Sequence, residues 1–237
     1  MACLIANPDR WWPGGDVPFV IDSDDFPPDS DDHETILEGI ALWSDTLIKL
    51  VPRRSESSFV SFVTNPDAAC QSRIGRKIGE QTIECYVQDF NAGAVAHEIG
   101  HAIGLFHEHQ RNDRDEFVEV KWAETDSGKV NQSDPNYGLN LPRRLDICRY
   151  DYESIMHYPD TALIQLQDGP AMGQTDRLSY RDSAVTRYLY ATLSLRDALE
   201  ASGYPPQSGV ADLLRPGISI REWIVCYQLF AGGGGGF

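Results

Sequence analysis

Residues 97–107 read His97-Glu98-Ile99-Gly100-His101-Ala102-Ile103-Gly104-Leu105-Phe106-His107, which places three imidazoles and one carboxylate in a single short window. These residue types at these spacings suit a zinc ion that does chemistry. On an α-helix His97 and His101, four residues apart, project from one face and can grip the same ion. Gly104 falls where such a helix must end, because glycine takes the left-handed backbone that other residues resist. The turn then brings His107 back as a third ligand. Three protein ligands leave zinc's fourth position open to water, whereas four would mark a closed structural site. Zinc lowers the pKa of its water from about 9 in the aqueous ion to about 7 in hydrolytic sites, so a nucleophile is available near neutral pH. Glu98 is the natural general base, taking the water's proton and handing it to a leaving amine. His109 lies two residues beyond the third ligand position and is not chosen as a ligand.

The stretch from His97 to Asp115, H-E-I-G-H-A-I-G-L-F-H-E-H-Q-R-N-D-R-D, resembles the signature of the astacin family of metzincin zinc endopeptidases. Residues 150–158, Y-D-Y-E-S-I-M-H-Y, resemble that family's Met-turn. The resemblance implies that Met156 forms an apolar floor beneath the metal. It implies that Tyr158 ligates zinc at rest and swings out to stabilise the oxyanion. Trp12-Pro13-Gly14-Gly15 with residues 17–22 resembles the family's first strand, and Leu178-Ser179 with Asp182, ending in Leu189-Tyr190, resembles its closing helix. The match covers about residues 11–191, and it implies one catalytic Zn²⁺ per chain and a protein or peptide substrate.

Other positions take their reading from the same resemblance. Glu108 matches a glutamate that anchors the buried amino terminus of the mature enzyme, with a plain surface carboxylate as the alternative. Arg111, Asp113 and Asp115 match a charged cluster read as a structural ion-pair network. Arg177 lies where the specificity loop would be; it either favours an acidic side chain beside the scissile bond or is an ordinary surface arginine. Cys70 and Cys85 fall where the family has a disulfide. Its second, longer-range disulfide is missing, because Leu47 and Ala191 or Thr192 stand at the corresponding places. The five cysteines are an odd number, so at least one thiol is unpaired within the chain or pairs elsewhere, and with Cys70 and Cys85 expected bonded, Cys3, Cys148 and Cys226 have no assigned partners. For Cys3 an incidental thiol is favoured over a zinc-blocking role.

The elements that must position these residues form an α+β domain split by a cleft. With the resemblance, this becomes a metzincin-like two-lobed fold: a twisted sheet with a backing helix, the zinc helix above, and an irregular lower lobe with a closing helix. Strands are expected at Val17 to Ile21, Phe59 to Val63 and Thr82 to Val87, each rich in β-branched or aromatic residues. A helix is expected from about His33 to Leu50, with Ile36, Ile40, Trp43 and Leu47 on one face, Asp31 or Asp32 as cap and Pro52 as stop. The zinc helix runs from about Ala92 to Ile103 with Val95, Ile99 and Ala102 facing inward. Residues 108–178 are polar and turn-rich and read as an irregular lobe around Tyr158. An extended substrate would pair with the strand near Thr82 to Val87. The expected organisation is an N-terminal arm (1–10), a catalytic domain (11–191, upper lobe about 11–106, lower lobe about 107–191) and a C-terminal extension (192–237). In that extension Ile220, Trp223, Ile224 and Tyr227 line a docking helix before a flexible glycine tail at 232–236.

A length of 237 residues with 41% hydrophobic residues supports a substantial core, and a formal charge of −16 argues against nucleic acid or an anionic membrane as partner. No secretory signal, transit peptide or membrane-spanning run is visible in this chain. The cysteine pair and the resemblance favour an oxidising compartment and secretion. The function expected is a zinc-dependent endopeptidase with His97, His101 and His107 as ligands, Glu98 as general base and Tyr158 as oxyanion stabiliser. The competing reading is a non-catalytic zinc-containing binding or adhesion module, which the retention of Glu98 disfavours. A zinc hydrolase of non-peptide amides is a third.

Overall fold

The computed structural model describes residues 3–5, 7–65, 70–85, 90–121, 144–146, 149–160, 163–186 and 190. Residues 1–190 form one compact unit and 191–237 a second. The C-terminal extension, Cys148 and Cys226 lie outside the described residues. In chain order the elements are β1 (Cys3–Ile5), β2 (Asp16–Ile21), α1 (Asp31–Ala41), β3 (Lys49–Pro52), β4 (Phe59–Thr64), β5 (Gln71–Ser72), β6 (Glu80–Cys85), α2 (Ala92–Ala102), β7 (Val118–Val120), β8 (Arg144–Asp146) and β9 (Leu163–Gln165). Residues 180–186 are again helical.

The upper lobe is a five-stranded sheet of order β3-β2-β4-β6-β5. β2, β3, β4 and β6 run parallel, and β5 lies antiparallel at the rim. The three expected strands are present. The expected edge is not, because β5 pairs through Gln71 and Ser72 with Glu84 and Ile83 and so covers β6. Residues 86 and 87, the end of the expected third strand, lie outside the described residues.

α1 departs from its expected span at both ends. Its cap is Ser30, whose hydroxyl accepts from the His33 N–H at 3.2 Å. Asp31, Asp32 and Glu34 fill the first turn, where the helix dipole favours negative charge. The helix stops at Ala41 instead of continuing to Leu50. The Thr46 hydroxyl bonds the Trp43 carbonyl at 2.7 Å and accepts from Ile48 N–H at 3.0 Å, and such side-chain bonds compete with helix continuation. Leu47 is consequently exposed, and Pro52 ends an outer strand, where its missing N–H costs nothing.

α2 packs on α1 through Gly39, which has no side chain to keep Val95 away. Val95, Ile99 and Ala102 are buried, as expected for the inward face. Two indoles pin the same helix: Trp12 Nε1–H donates to the Ala102 carbonyl at 2.9 Å and Trp43 Nε1–H to the Ala96 carbonyl at 3.1 Å. Gly100 faces Met156, whose Sδ stands where a Cβ would go, with Trp43 Cζ2 3.5 Å from that position. The segment read as an N-terminal arm is built into the domain: β1 is buried, pairs with β8, and bridges Leu4 to Leu105.

In the lower lobe β7 and β9 form an antiparallel pair over a separate core of Val118, Val120, Tyr150, Tyr152 and Leu163, joined by Phe117, Tyr158 and Met172. Tyr150 hydroxyl and His157 Nε2 are 2.8 Å apart, and His157 Nδ1 lies 2.7 Å from the Tyr158 carbonyl. The carbonyl can only accept, so Nδ1 carries the proton and Nε2 accepts from the phenol. Burial lowers the His157 pKa from its ordinary 6.5 to about 4.

Two outcomes follow from this packing. Gly100→Ala is expected to destabilise by about 1–3 kcal/mol through overpacking against Met156, despite the helix propensity that alanine gains, measured by urea unfolding. An unchanged midpoint would show that Met156 moves aside freely. For His157, the folded pKa lies below the unfolded one, so the unfolded chain takes up the proton first as pH falls. Its stability contribution, about 3 kcal/mol, is present above about pH 6.5 and is lost as pH falls towards 4. NMR titration should find the ring neutral at pH 5.5; a midpoint near 6.5 contradicts the assignment.

Candidate metal centre

α2 begins at Asn91, whose side chain caps the Ala94 N–H at 2.9 Å, and it delivers His97 and His101 to the cleft on successive turns. It ends at Ala102 with Ile103 as cap, and Gly104 follows at φ +112°, the backbone that the sequence requires of a glycine there. The chain reverses and His107 enters from the other side. Gln110 fixes that entry: its side-chain oxygen accepts from the His107 N–H at 3.0 Å, and its own N–H donates to the His107 carbonyl at 3.0 Å.

The three imidazoles converge. His107 Nε2 lies 3.1 Å from His101 Nε2 and 3.2 Å from His97 Nε2. His97 Nδ1 is 2.7 Å from the Ile155 carbonyl and His101 Nδ1 is 2.8 Å from the Leu105 carbonyl. Both Nδ1 atoms must therefore carry the proton, which leaves both Nε2 lone pairs turned inward. Burial lowers all three pKa values, that of His101 to about 3, so the rings are neutral at physiological pH. His107 Nε2 has at most one proton to give to two acceptors, and the triangle is not satisfied by hydrogen bonds alone. A cation satisfies it: tetrahedral ligands at about 2.0–2.1 Å from zinc lie about 3.3 Å from one another. Among the described residues this is the group of His, Cys, Asp and Glu side chains that could hold a metal ion.

Glu98, the neighbour of His97 in α2, is buried, with Oε2 lacking a hydrogen-bond partner. Burial first, and Cys70 second, push its pKa up to about 8. A buried carboxylate oxygen left unpaired on the helix that carries two inward imidazole lone pairs is the mark of a site that receives a cation and a polar reactant. Tyr158 packs its ring on His107 and His109, with centroids 4.4 Å and 4.3 Å away. Burial and Glu98 hold its pKa near 12, so the phenol keeps its proton. His109 stacks on His107 and stays outside the converging group.

The remaining expected residues divide. Glu108 is fully buried, not a surface carboxylate: its side chain accepts from the Asp151 N–H at 2.9 Å, and burial pushes its pKa up to about 8. Arg111 forks onto Asp113 at 2.8 and 2.7 Å, while Asp115 pairs with Arg114. Arg177 pairs with Glu153 at 2.8 Å and both remain exposed. Cys70 and Cys85 are neighbours, with their sulfurs in hydrogen-bond contact and not covalently joined, and that contact and burial raise the Cys85 pKa. Cys3 is buried in β1, paired opposite Asp146. Three features have no reading in the sequence: the Ile155 and Leu105 carbonyls, which carry no side-chain signature, and the placement of the Asp182 carboxylate, buried beneath the Met-turn. For Gln110 a signal exists in its spacing three residues after His107, the offset of a capping residue.

Residues 4–191 match the model of the peptidase family Astacin. The zinc metalloproteinase nas-14 of Caenorhabditis elegans is 31% identical over 198 residues, covering 79% of this chain and 38% of that protein. The low choriolytic enzyme of Oryzias latipes is 33% identical over 208 residues, covering 80% of this chain and 72% of that enzyme. Among solved structures, the high choriolytic enzyme 1 of Oryzias latipes, a hatching enzyme zinc-protease, superposes with a TM-score of 0.67 at 25% identity, covering 78% of this chain and 96% of that one. A zinc-ligand motif on the expected helix, a Met-turn beneath it and a family match over most of the chain agree: the protein belongs to the astacin family of zinc metalloendopeptidases.

Proposed function

We propose that this domain hydrolyses internal peptide bonds, with His97, His101 and His107 holding one zinc ion, Glu98 moving the proton and Tyr158 donating to the oxyanion. The observation that carries this reading is the convergence of three neutral imidazole nitrogens beside a buried carboxylate oxygen without a partner. Zinc, when bound there, supplies a Lewis acid for the scissile carbonyl and an acidified water. Burial favours the protonated form of Glu98 when no cation is present; beside a bound dication the carboxylate would be ionised, able to take the water's proton and then give it to the leaving amine. Tyr158 keeps its hydroxyl proton across the working range and acts as a donor, not as a base. The binding-module reading leaves Glu98 unexplained, since a buried carboxylate oxygen with no partner costs stability and contributes none.

The substrate is a protein or peptide. An extended segment lies along the outer edge of β5, the strand at the sheet's rim on the side of α2. Arg177 favours an acidic side chain near the scissile bond only where that side chain displaces Glu153 from it. We place the enzyme outside the cell. The adjacency of Cys70 and Cys85 supports this, because an oxidising compartment would join them. No helix among the described residues is long and apolar enough to cross a membrane.

Glu98→Gln should bind zinc as the parent does while losing about 10²–10⁴-fold in kcat/KM, read with a quenched peptide library and a metal assay. Cleavage at the parental rate by that variant, or cleavage by the parent in excess chelator, would overturn the mechanism. Tyr158→Phe should lower kcat by about 10²-fold with KM nearly unchanged, as expected for a donor engaged only at the transition state. An effect confined to KM would move Tyr158 to ground-state binding.

A further inference from the structure

We infer that Asp182 is a positioning residue for the metal site, acting on His97 through the backbone of the Met-turn. Its carboxylate is fully buried, and the hydrogen bonds described for that carboxylate are all accepted ones. Oδ1 takes the Ser154 hydroxyl at 2.6 Å, and Oδ2 takes the Ile155 N–H at 2.9 Å and the Ser179 N–H at 2.9 Å. The Ser154 hydroxyl, with its proton committed to Asp182, accepts the Met156 N–H at 3.1 Å. One carboxylate thus fixes three consecutive residues, Ser154, Ile155 and Met156. Two of them touch the site directly: the Ile155 carbonyl accepts from His97 Nδ1–H at 2.7 Å, and Met156 lies against Gly100 on the turn between His97 and His101.

The three rings are not held alike. His101 is oriented from within its own segment, by the Leu105 carbonyl four residues on. His107 is held through its backbone, by the Gln110 clamp. The His97 ring, among the described contacts, depends on a carbonyl 58 residues away, on a turn of irregular backbone. Such a turn has few ladder bonds to fix it, and the bonds to Asp182 take their place. Asp182 itself sits at the start of the helix of residues 180–186, so it ties the closing helix to the orientation of one ligand. Loss of the group that a ligand hydrogen-bonds typically costs 10–100-fold in metal affinity, and Asp182 holds that group, the Ile155 carbonyl, in place.

The test rests on the ligand set proposed above and separates the two. Zinc dissociation constants of the full chain and of Asp182→Asn are measured by competition with a chromophoric chelator, with folding checked by circular dichroism. Asn keeps the shape but presents an NH₂ where a donor must be accepted. Absence of zinc binding by the parent would refute the ligand set itself. With the parent binding, Asp182→Asn should weaken zinc by about 10–100-fold and shift the ¹⁵N ring resonances of His97 while those of His101 stay in place. A purely structural role would lower the unfolding midpoint yet leave both the affinity of the folded protein and the His97 resonances unchanged, and that result overturns the inference. Equal shifts of His97 and His101 would overturn it too. Should Asp182→Asn not fold, Ser154→Ala removes one branch of the network. A roughly threefold weaker zinc affinity with a His97 shift then supports the proposal, by the same reasoning on outer partners, and parental values for both refute it.

Discussion

Three imidazole nitrogens crowded together inside a protein cannot satisfy one another, and the rest of the structure exists to hold them there. Each ring must be neutral, which burial ensures by lowering the pKa values. In the two rings whose outer nitrogens bond to backbone carbonyls, those bonds also choose the tautomer. Nothing in the packing of apolar side chains would select this arrangement. A divalent ion does, because it turns three unfavourable contacts into three bonds, and an ion gripped this way stabilises the folded chain by mass action.

The scaffold meets that constraint with parts of unequal rigidity. α2 is clamped by two indole donors and by close packing on α1 at Gly39, so His97 and His101 move only with the whole upper lobe. His107 and Tyr158 come from irregular backbone, where the same precision must come from individual hydrogen bonds: Gln110 on one side, and Asp182, Ser154 and His157 on the other. The two sources meet where Glu108 N–H donates to the Met156 carbonyl at 3.0 Å, joining the loop after the third ligand to the Met-turn. Bringing that turn so near the helix requires a glycine at position 100.

What is legible in the sequence is local in the chain. The ligand spacing, the glycine that ends the helix and the strands around Val17, Phe59 and Thr82 follow from periodicity and residue type within short windows. Pattern and structure part where a side chain overrides the pattern. Leu47 fits the apolar stripe of α1, yet the Thr46 hydroxyl has already diverted the backbone. Asp31 and Asp32 are good caps, yet Ser30 stands one residue earlier and takes the role. β5 and β1, at two and three residues, are too short for any periodicity to register, so the strand at the sheet's rim is not the one that periodicity suggests. Asp182 is visible only as part of a family-like string; its three hydrogen bonds run to Ser179 nearby and to Ser154 and Ile155, 28 and 27 residues away, contacts that no local window contains.

Charge explains why Glu98 belongs to this arrangement and why its own environment, taken alone, opposes it. With three neutral ligands, a divalent ion would add two positive charges to a buried site, and Glu98, next to His97 in α2, is a buried carboxylate with an unpaired oxygen. Without a cation, burial holds Glu98 protonated up to about pH 8. A nearby dication reverses that preference and ionises it, since the ion is then the largest local charge. The loaded site would carry a net charge of about +1, and transfer of the attacking water's proton to Glu98 would leave that total unchanged while moving the negative charge from Glu98 to the oxyanion. Once protonated, Glu98 would no longer offset the cation, so the full positive charge would face the oxyanion and stabilise the transition state more than the ground state.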